Sequence, residues 1–310
     1  MSDRHDSDRH DSDRHERGRP TGAGAPSSGA VLAVGSPRLT SASTSTEERG
    51  ALCELEAPVC DDVPRAGAPK RAGVAAAPAA GPLVSILIPT LDEARELPHV
   101  LDHLAALHGR WETIVADGGS RDATRQIADD HALRPRVVEH SGGRAAQLNT
   151  AARVATGDVL LFLHADSRLP PDAYVSLADA WRRAPQVEGG NFALRFDDGR
   201  GAFERVLGAV YRLQRRHGLY YGDSSVWVRR ATFERLGGFR EIPIMDDYDF
   251  VRRLERCAAT RCLPGPATTS ARRWRAVGIP RTVLAWFVIR RLYVAGISPA
   301  RLARLYRVVR

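Results

Sequence analysis

Short apolar runs alternate with amphipathic segments along the chain from residue 83. Leu83–Pro89 is a nearly continuous apolar run, which is typical of a strand buried on both faces of a parallel sheet. Apolar residues then recur at spacings of three and four from Leu97 to Leu107, which predicts a helix. We expect further strands at Glu112–Ala116, Arg136–Glu139 and Val159–Leu163, and helices from Asp122 to about Ala132 and at Ala145–Ala155. Strands that alternate with helices imply a parallel α/β sheet with right-handed crossovers.

The pattern beyond residue 190 is less regular. The expected elements are a strand at Asn191–Phe196, an amphipathic helix built on Phe203, Val206, Leu207, Val210 and Leu213, a strand around Val226 and Val228, a break at Gly237-Gly238, a helix at Asp246–Arg256, and two C-terminal helices of which the last begins at Ser298-Pro299. The strand shows the alternation of a sheet with one buried side. Proline is favoured at the first position of a helix.

Residues 1–81 differ in composition from the rest of the 310-residue chain, with few large apolar side chains. Such a segment cannot bury enough surface to offset its ordering entropy, so we expect a disordered, low-complexity tail. Residues 82–310 are enough for one domain with a single core. The apolar stretch Val283–Ile289 is too short to span a bilayer and is followed by two arginines, so we expect no transmembrane helix.

The formal net charge of +8 suggests an anionic partner, which could be nucleic acid, an acidic membrane surface or a phosphorylated small molecule. The charge does not choose among these three. The cysteines lack C-x-x-C spacing and no secretory signal is visible, so the expected setting is the cytoplasm, either free or peripheral at the inner face of the membrane.

Three polar clusters, Thr90–Glu93, Asp117–Ser120 and His164–Asp166, directly follow predicted strands. Ligands of parallel α/β sheets gather beyond the carboxyl ends of the strands. Carboxylates there can contact a ribose or base, or hold a divalent cation beside phosphates. Any one of these acids could simply cap the next helix, but three clusters at one edge predict a ligand site. The G-x-G-x-x-G and P-loop fingerprints are absent.

Two further groups could carry chemistry. Arg144 follows a glycine pair before a predicted helix and could pair with a diphosphate, or be an ordinary surface arginine. Asp246 and Asp247 follow an apolar segment. Adjacent carboxylates in such a setting can hold one pKa high enough for base catalysis, although an acidic first helical turn would look the same.

These residues belong to a series of motifs that resembles family 2 glycosyltransferases. In order, the motifs are IPTLDE (Ile88–Glu93), VADGGSRDAT (Val115–Thr124), GGRAAQLN (Gly142–Asn149), GDVLLFLHADSRLP (Gly157–Pro170), GGF (Gly237–Phe239), IPIMDDYDF (Ile242–Phe250) and SARRW (Ser270–Trp274). The series is collinear from about Leu83 to the C-terminus. More narrowly, it resembles a small bacterial subgroup of arsenosugar-biosynthesis glycosyltransferases.

The resemblance implies a GT-A fold, in which a Rossmann-like nucleotide-binding half is fused to an acceptor half in one mixed, mostly parallel sheet. The expected divisions are 82–170 for the nucleotide-sugar half, 171–280 for the acceptor half and 281–310 for the C-terminal helices. It also implies inverting transfer of a sugar from a nucleotide-sugar, with a UDP-sugar as the expected donor, to a small-molecule or lipid acceptor. We expect acceptor specificity to lie in loops such as Gly218–Ser225.

The resemblance also implies roles for individual residues. The expected nucleotide-sugar-binding residues are Pro89, Thr90, Glu93, Asp117, Gly118, Arg144, Asn149, His164, Arg273 and Trp274. Asp166 stands at the last position of the D-x-D motif of the family and would bind Mg²⁺ or Mn²⁺. Asp247, beside Asp246, stands at the second position of the E-D pair and would deprotonate the acceptor hydroxyl.

The chain departs from the family pattern at three positions. His164 replaces the first acid of D-x-D, Asp246 shortens the first acid of the E-D pair, and Ser270 replaces the glutamine of Q-x-x-R-W. The first and third changes bear on metal affinity and on processive polymerisation.

Three other functions fit parts of the sequence. A sugar nucleotidyltransferase would carry a G-x-G-x-R loop after the first strand, which is not present. A nucleic-acid-binding protein would interleave basic residues with exposed aromatics, whereas the arginines here are dispersed. A membrane-surface protein could use Trp286, Phe287, Arg290, Arg291 and Tyr293, although apolar helix faces more often pack on the core.

Overall fold

The computed structural model describes residues 81–196, 202–270 and 279–309. The expected tail, 1–81, therefore lies outside the described residues except for Gly81. The predicted ligand-binding residues Arg273 and Trp274 also lie outside them.

The strands form one eight-stranded sheet in the order β3-β2-β1-β4-β7-β6-β8-β5. Their bounds are β1 (Val84–Thr90), β2 (Trp111–Asp117), β3 (Arg136–Glu139), β4 (Val159–Phe162), β5 (Ser167–Arg168), β6 (Val187–Phe196), β7 (Trp227–Arg229) and β8 (Ala259–Thr269). The helices are α1 (Leu97–Ala105), α2 (Thr124–Asp130), α3 (Arg144–Val154), α4 (Ala173–Arg183), α5 (Ala202–Arg216), α6 (Arg230–Arg235), α7 (Asp246–Cys257), α8 (Ile279–Val294) and α9 (Pro299–Val309), with a 3-10 turn at Gly222–Ser224.

The first half of the sheet is the expected Rossmann-like unit. β1 pairs in parallel with both β2 and β4, and β2 pairs in parallel with β3. Alternate residues of β1 enter different cores: Ile86 and Ile88 pack on one face of the sheet and Leu87 on the other. The apolar run that predicted this strand is therefore a consequence of its burial on both sides.

The second half contains strands that the sequence pattern did not reveal. β7 runs antiparallel to β4 and β6, and β6 pairs in parallel with β8. β8 was missed because it contains Pro264, Gly265 and Pro266, which usually interrupt a ladder. The register along β6 shifts between Phe192 and Ala193, so the Pro264-Gly265 step is absorbed as a bulge.

A cluster of aromatic rings fixes α7 against β4. The ring of Phe162 on β4 lies 4.8 Å from that of Phe239 and 6.1 Å from that of Phe250 on α7, measured between centroids. Phe233 on α6 completes the cluster at 5.6 Å from Phe162. Aromatic pairs at these separations add favourable edge contacts to the area they bury. The N-terminus of α7 is thereby held close to the end of β4.

The expected amphipathic helix is present as α5, but most of its apolar face is uncovered by the described residues. Leu207 is buried, whereas Val206, Val210 and Leu213 are 61%, 41% and 56% exposed. The spacing of three and four predicts the helix correctly. It does not determine what covers the apolar stripe.

The aromatic and apolar residues of α8 lie on two different faces of the helix, one buried and one exposed. Ile289 is buried, and Trp286 and Tyr293 pack on the same small core as Met245 and Tyr248 of the α7 region. The expectation that this helix packs on the core is therefore correct for one face only. Among the described residues, no helix is both long and apolar enough to cross a membrane.

Candidate active site

The first two predicted clusters meet at the carboxyl ends of β1 and β2. The Thr90 hydroxyl donates to Asp117 Oδ1 at 3.3 Å, and the backbone N–H of Asp92 donates to the Ser120 hydroxyl at 2.9 Å. The backbone N–H of Arg121 in turn donates to Asp92 Oδ1 at 2.8 Å. Asp92 holds a left-handed conformation, with φ 54°. The two turns therefore form one hydrogen-bonded rim beside the sheet.

Asp117 shapes the turn that follows β2. Its Oδ2 accepts the backbone N–H groups of Gly119 and Ser120 at 3.0 and 2.9 Å, and its Oδ1 accepts the Ser120 hydroxyl at 2.5 Å. Burial alone would raise the pKa of Asp117, but these hydrogen bonds hold that pKa below its ordinary value. The side chain is thus an ionised, nearly buried acceptor at the rim.

Gln147 on α3 ties the two strand ends together. Its side-chain amide donates to the carbonyl oxygens of Thr90 and Ala116 at 2.8 and 3.1 Å. A Cβ atom at Gly118 would lie 2.5 Å from Gln147 Nε2, so only glycine lets the glutamine approach. The glycine of the predicted Asp117–Ser120 cluster is required by this contact.

Arg144, the first residue of α3, is the centre of a charged network. Its Nε and one terminal nitrogen donate to the two carboxylate oxygens of Asp246 at 3.1 and 2.8 Å, and the same terminal nitrogen lies 3.4 Å from Asp247 Oδ2. Its other terminal nitrogen lies 3.0 Å from His164 Nε2. A guanidinium can only donate, so His164 Nε2 is the acceptor in this contact.

Asp246 and Asp247 begin α7, directly after Met245 in a left-handed conformation, φ 68°. Asp247 Oδ2 accepts the backbone N–H of Gly222 at 2.9 Å, and Oδ1 accepts that of Tyr248 at 2.7 Å. Burial favours the neutral acid, but Arg144 and these N–H groups bring the pKa of Asp247 below its ordinary value. Burial dominates at Asp246, whose pKa is raised. The pKa values of the two adjacent acids therefore shift in opposite directions, and Asp247 is the more readily ionised of the pair.

The turn Gly222–Ser224 closes over these side chains. A Cβ atom at Gly222 would lie 3.0 Å from both Arg144 and His164 and 3.3 Å from Asp247. Together with Pro89, these four residues line a cleft that we call the central cleft. A residue larger than glycine at position 222 would displace the side chains that form it.

Asp223 adds a further acid beside the central cleft. Its Oδ2 accepts the Tyr211 hydroxyl at 2.9 Å, while its Oδ1 is buried without a hydrogen-bond partner among the described residues. Burial raises the pKa of Asp223 to about 7, helped by the nearby charges of Asp247 and Asp166. Ser225, at the end of the turn, has φ 52°, so the backbone is strained beside this acid.

Comparison with known proteins places this site in a family. The model for glycosyl transferase family 2 matches residues 85–236. A PGL/p-HBAD biosynthesis glycosyltransferase of Mycobacterium bovis (strain BCG / Pasteur 1173P2) is 30% identical over 200 residues, which cover 61% of this chain and 72% of the relative. The chain belongs to glycosyl transferase family 2. It is accordingly a glycosyltransferase.

Solved structures confirm the expected GT-A architecture of this family 2 glycosyltransferase. The mannosyltransferase PcManGT from Pyrobaculum calidifontis, solved with GDP-Man and Mn²⁺, is 24% identical with a TM-score of 0.55, over 70% of this chain and 65% of that one. S. aureus TarS 1-349, solved with UDP, is 20% identical with a TM-score of 0.50, over 60% of each chain. Both alignments span less than two thirds of the solved chain, and at these identities the likeness concerns the fold alone.

The remaining predicted residues occupy different places in the glycosyltransferase. Asn149 exchanges two hydrogen bonds of 2.9 Å with the backbone of Phe239, so its amide fastens α3 to the Gly237-Gly238 break. The carbonyl of Glu93 accepts the N–H groups of Glu96 and Leu97 at the start of α1. Asp166 is half-buried in the turn after β4.

Sequence analysis did not single out Gln147, Tyr211, Gly222 or Asp223 as individual site residues. Gln147 lies within the quoted GGRAAQLN motif and Asp223 within the loop expected to set specificity, but neither position has a periodic or spacing signal of its own. Their importance depends on contacts across the sheet, between residues 57 positions apart for Gln147 and Thr90.

The raised pKa of Asp223 predicts a pH-dependent stability. Between its ordinary value of 3.8 and about 7, the folded protein binds a proton at Asp223 that the unfolded chain does not, so this residue lowers stability as pH rises through that window. Asp223→Asn removes this penalty. We therefore expect the variant to gain in melting temperature relative to the wild type as the pH rises. The difference between the two melting temperatures should grow by at least about 2 °C from pH 5 to pH 8, since about 1 kcal/mol produces such a shift in a domain of this size.

The melts are recorded with a chelator, so that no cation neutralises the acids around Asp223. Tyr211, Asp247, Asp166 and Arg144 act on this carboxyl and are unchanged in both proteins. A difference in melting temperature that stays constant from pH 5 to pH 8 would contradict the shifted pKa.

Proposed function

We propose that this glycosyltransferase moves a sugar from a nucleotide-diphosphate sugar to an acceptor hydroxyl, with inversion at the anomeric carbon and with help from a divalent cation. The observation that most directly supports this proposal is the bidentate pairing of Arg144 with Asp246, at 3.1 and 2.8 Å. A guanidinium nitrogen of Arg144 also lies 3.4 Å from a carboxylate oxygen of Asp247. This network joins the nucleotide-binding half of the sheet to the acid pair on α7.

The donor would lie across the rim formed by the ends of β1 and β2, where ligands of such sheets bind. Pro89, Thr90, Glu93, Asp117 and Gly118 would border the nucleotide, with ionised Asp117 accepting hydrogen bonds from the base. The relatives solved with GDP-Man and with UDP support a nucleoside diphosphate donor. A UDP-sugar remains our proposal for it.

A divalent cation fits the site if the protein and the diphosphate of the donor hold it together. Among residues 81–196, 202–270 and 279–309, no group of at least three His, Cys, Asp or Glu side chains could hold a metal ion. Mg²⁺ typically binds one or two carboxylates and completes its shell with substrate phosphates and water. Asp166 would supply the carboxylate, and a bound Mg²⁺ or Mn²⁺ would neutralise charge on the departing diphosphate.

Asp247 would act as the base. It is ionised, and it accepts hydrogen bonds from backbone N–H groups that hold the carboxylate in place. Asp246 would fix Arg144, and Arg144 would also bind the diphosphate, as a guanidinium does well. A single base and direct displacement on the opposite face of the sugar give inversion.

Donor binding is tested by a thermal-shift panel of nucleoside diphosphates and nucleotide-sugars with and without Mn²⁺. A ligand that binds only the folded state must raise its melting temperature. We expect one nucleotide to give a shift that Mn²⁺ increases, and Asp166→Ala to lose the Mn²⁺-dependent part. Asp130→Ala, which removes an exposed acid at the end of α2, is the control. An unchanged Mn²⁺ effect in Asp166→Ala would overturn its assignment.

The role of Asp247 predicts that Asp247→Asn loses sugar transfer by about 100-fold or more, since a positioned base contributes about 10²–10⁴. The nucleotide-induced thermal shift should be largely retained, because the variant keeps the shape of the side chain. Initial rates of transfer give the first quantity, and NMR of the wild-type product gives the anomeric configuration. Near-normal turnover in Asp247→Asn would show that another group removes the proton.

The acceptor would be a small molecule or a lipid. The narrower likeness to arsenosugar-biosynthesis enzymes rests on the motifs alone, and an arsenic-containing alcohol, a lipid or carotenoid hydroxyl, and another sugar all remain compatible with the proposal.

The outward face of α8 supports peripheral contact with the inner face of a membrane. Leu284, Phe287 and Val288 are 63%, 48% and 40% exposed. The guanidinium groups of Arg290 and Arg291 lie 5.7 and 5.5 Å from the centre of the Phe287 ring. Exposed apolar side chains next to arginines are the features of a helix that lies in an anionic membrane interface.

Flotation with vesicles containing anionic lipids tests this contact. We expect the wild type to float with the vesicles and the double variant Leu284→Ser/Phe287→Ser to remain in the bottom fraction of the gradient. Val175→Ser, on an equally exposed apolar residue of α4 (66% exposed), should float as the wild type does. Flotation of the double variant equal to that of the wild type, or no flotation of any protein, would remove the membrane contact.

A further inference from the structure

The solvent face of α5 is apolar. Val206, Val210 and Leu213 follow one another along the helix, and all three side chains are exposed. We call these three residues the α5 stripe. A helix on the surface of a globular protein normally turns its apolar stripe to the core and its charged residues to water. In α5 the stripe points away from the core, and the described residues leave most of it uncovered.

The opposite face of α5 fixes the orientation of the helix. Leu207 is buried in a small apolar cluster beneath it. The Tyr211 hydroxyl donates to Asp223 Oδ2 at 2.9 Å, and one turn later Arg215 pairs with Glu255 at 3.3 Å. Because these contacts extend over two turns, the helix cannot rotate to bury the stripe without breaking them.

The charged side chains exposed on α5 are all basic. Arg205, Arg212 and Arg216 are exposed, and their spacing places them along one edge of the stripe. Within the described part of the chain, none of the three pairs with a carboxylate, in contrast to Arg215 on the inner face. The only acidic residue of the helix is Glu204, in its first turn. The helix therefore presents apolar side chains beside positive charge that it does not neutralise itself.

These two features together favour one partner over the others. A second copy of the chain that met stripe with stripe would bring arginines to a helix that carries a single acid, and like charges across an interface are unfavourable. A nucleic acid would contact the arginines but would leave the stripe in water. An anionic bilayer matches both, because apolar side chains enter the acyl boundary while arginines stay among the lipid phosphates.

α5 is also attached to α8, the helix whose membrane contact is proposed above. The ring of Tyr221 lies 6.2 Å from that of Tyr211 on α5, and its hydroxyl accepts a hydrogen bond from Arg290 on α8 at 3.4 Å. Leu219, just after α5, packs on the same small core as Ile289 of α8. Two weak contacts that are tied together bind a surface more strongly than either does alone.

We propose that α5 lies in the interface of an anionic bilayer, with the α5 stripe inserted and its three exposed arginines at the level of the lipid phosphates. The bilayer is recognised by its negative charge and its apolar interior. In this position the helix itself is the spacer between the lipid and Asp223, which lies beside the central cleft. The inference goes beyond the proposed sugar transfer, in which neither the stripe nor these arginines take part.

A stripe variant removes the apolar surface and keeps the helix. It is the triple substitution Val206→Gln/Val210→Gln/Leu213→Gln. Glutamine forms helices better than valine and about as well as leucine, so the melting temperature of the stripe variant should equal or exceed that of the wild type. The control is Val175→Gln, which makes the same change at an exposed valine of α4.

An arginine variant removes the charge and keeps the stripe. It is the triple substitution Arg205→Gln/Arg212→Gln/Arg216→Gln. Its matched control takes the same charge from exposed positions on three other helices and is Arg153→Gln/Arg182→Gln/Arg256→Gln. Each arginine held near an anionic surface adds to binding, whereas one farther away than a Debye length adds little.

Partition coefficients are measured by sedimentation with vesicles of phosphatidylcholine, with and without phosphatidylglycerol. On the anionic vesicles we expect the stripe variant and the arginine variant each to bind at least about tenfold more weakly than the wild type. Val175→Gln should bind as the wild type does, and the matched charge control should lose much less than the arginine variant.

Equal binding of the stripe variant and the wild type would overturn the contact through α5. The α8 variant Leu284→Ser/Phe287→Ser, measured in parallel, decides separately whether α8 binds. Light scattering that shows a dimer for the wild type and a monomer for the stripe variant would assign the stripe to a second copy and would also overturn the proposal. The nucleotide-induced thermal shift, recorded on the same proteins, should be unchanged by these substitutions, and its absence in the wild type would count against the proposed donor alone.

Discussion

The ion pair between Arg144 and the acids of α7 is the constraint on which the arrangement of the site depends. Arg144 is the first residue of α3, in the nucleotide-binding half, and Asp246 lies 102 positions later in the chain. Its guanidinium is half-buried and must be held by partners, since an unpaired buried charge is costly. The same group lies within hydrogen-bond distance of His164 Nε2, so one arginine contacts groups from three segments of the chain.

This pairing needs α7 to be held firmly, and the packing below it provides the support. Arg253 on α7 bonds to Asp249 at 2.8 Å and to the carbonyl oxygens of Leu236 and Gly238, each at 2.7 Å. The aromatic cluster around Phe250 anchors the same helix to β4. The Gly237-Gly238 break is fastened from the other side by Asn149. The acid pair is therefore positioned by contacts on two sides of the Gly237-Gly238 break. One of these contacts is made by Asn149, which the sequence predicted to bind the nucleotide-sugar.

Local pattern predicted the parts of the fold in which burial and periodicity agree. β1 and β4 were predictable because apolar runs mark strands covered on both faces. β8 was not, because Pro264-Gly265-Pro266 looks like a loop and becomes part of a strand only through a bulge against β6. The uncovered stripe of α5 shows a second limit: periodicity identifies an apolar face but not its partner. At the site, the strand ends located the Thr90 and Asp117 clusters, and the apolar setting of Asp246 and Asp247 marked them as candidates for base catalysis. The proposed division of roles between these two acids came from family resemblance, whereas Asp223 was noticed from tertiary contacts alone.

Three of the four non-glycine residues with a left-handed backbone in the described part of the chain lie where the chemistry is proposed, and the fourth, Arg134, lies before β3. Left-handed conformations at Asp92, Ser225 and Met245 adjoin the rim, the turn and the acid pair, and each costs stability that the surrounding packing must offset. Asp223 adds a partly unsatisfied carboxylate beside Asp247. A fold selected only for stability would replace these residues. Under the proposed function these positions border the donor, and a divalent cation held with its diphosphate would offset the charge of the acids near Arg144.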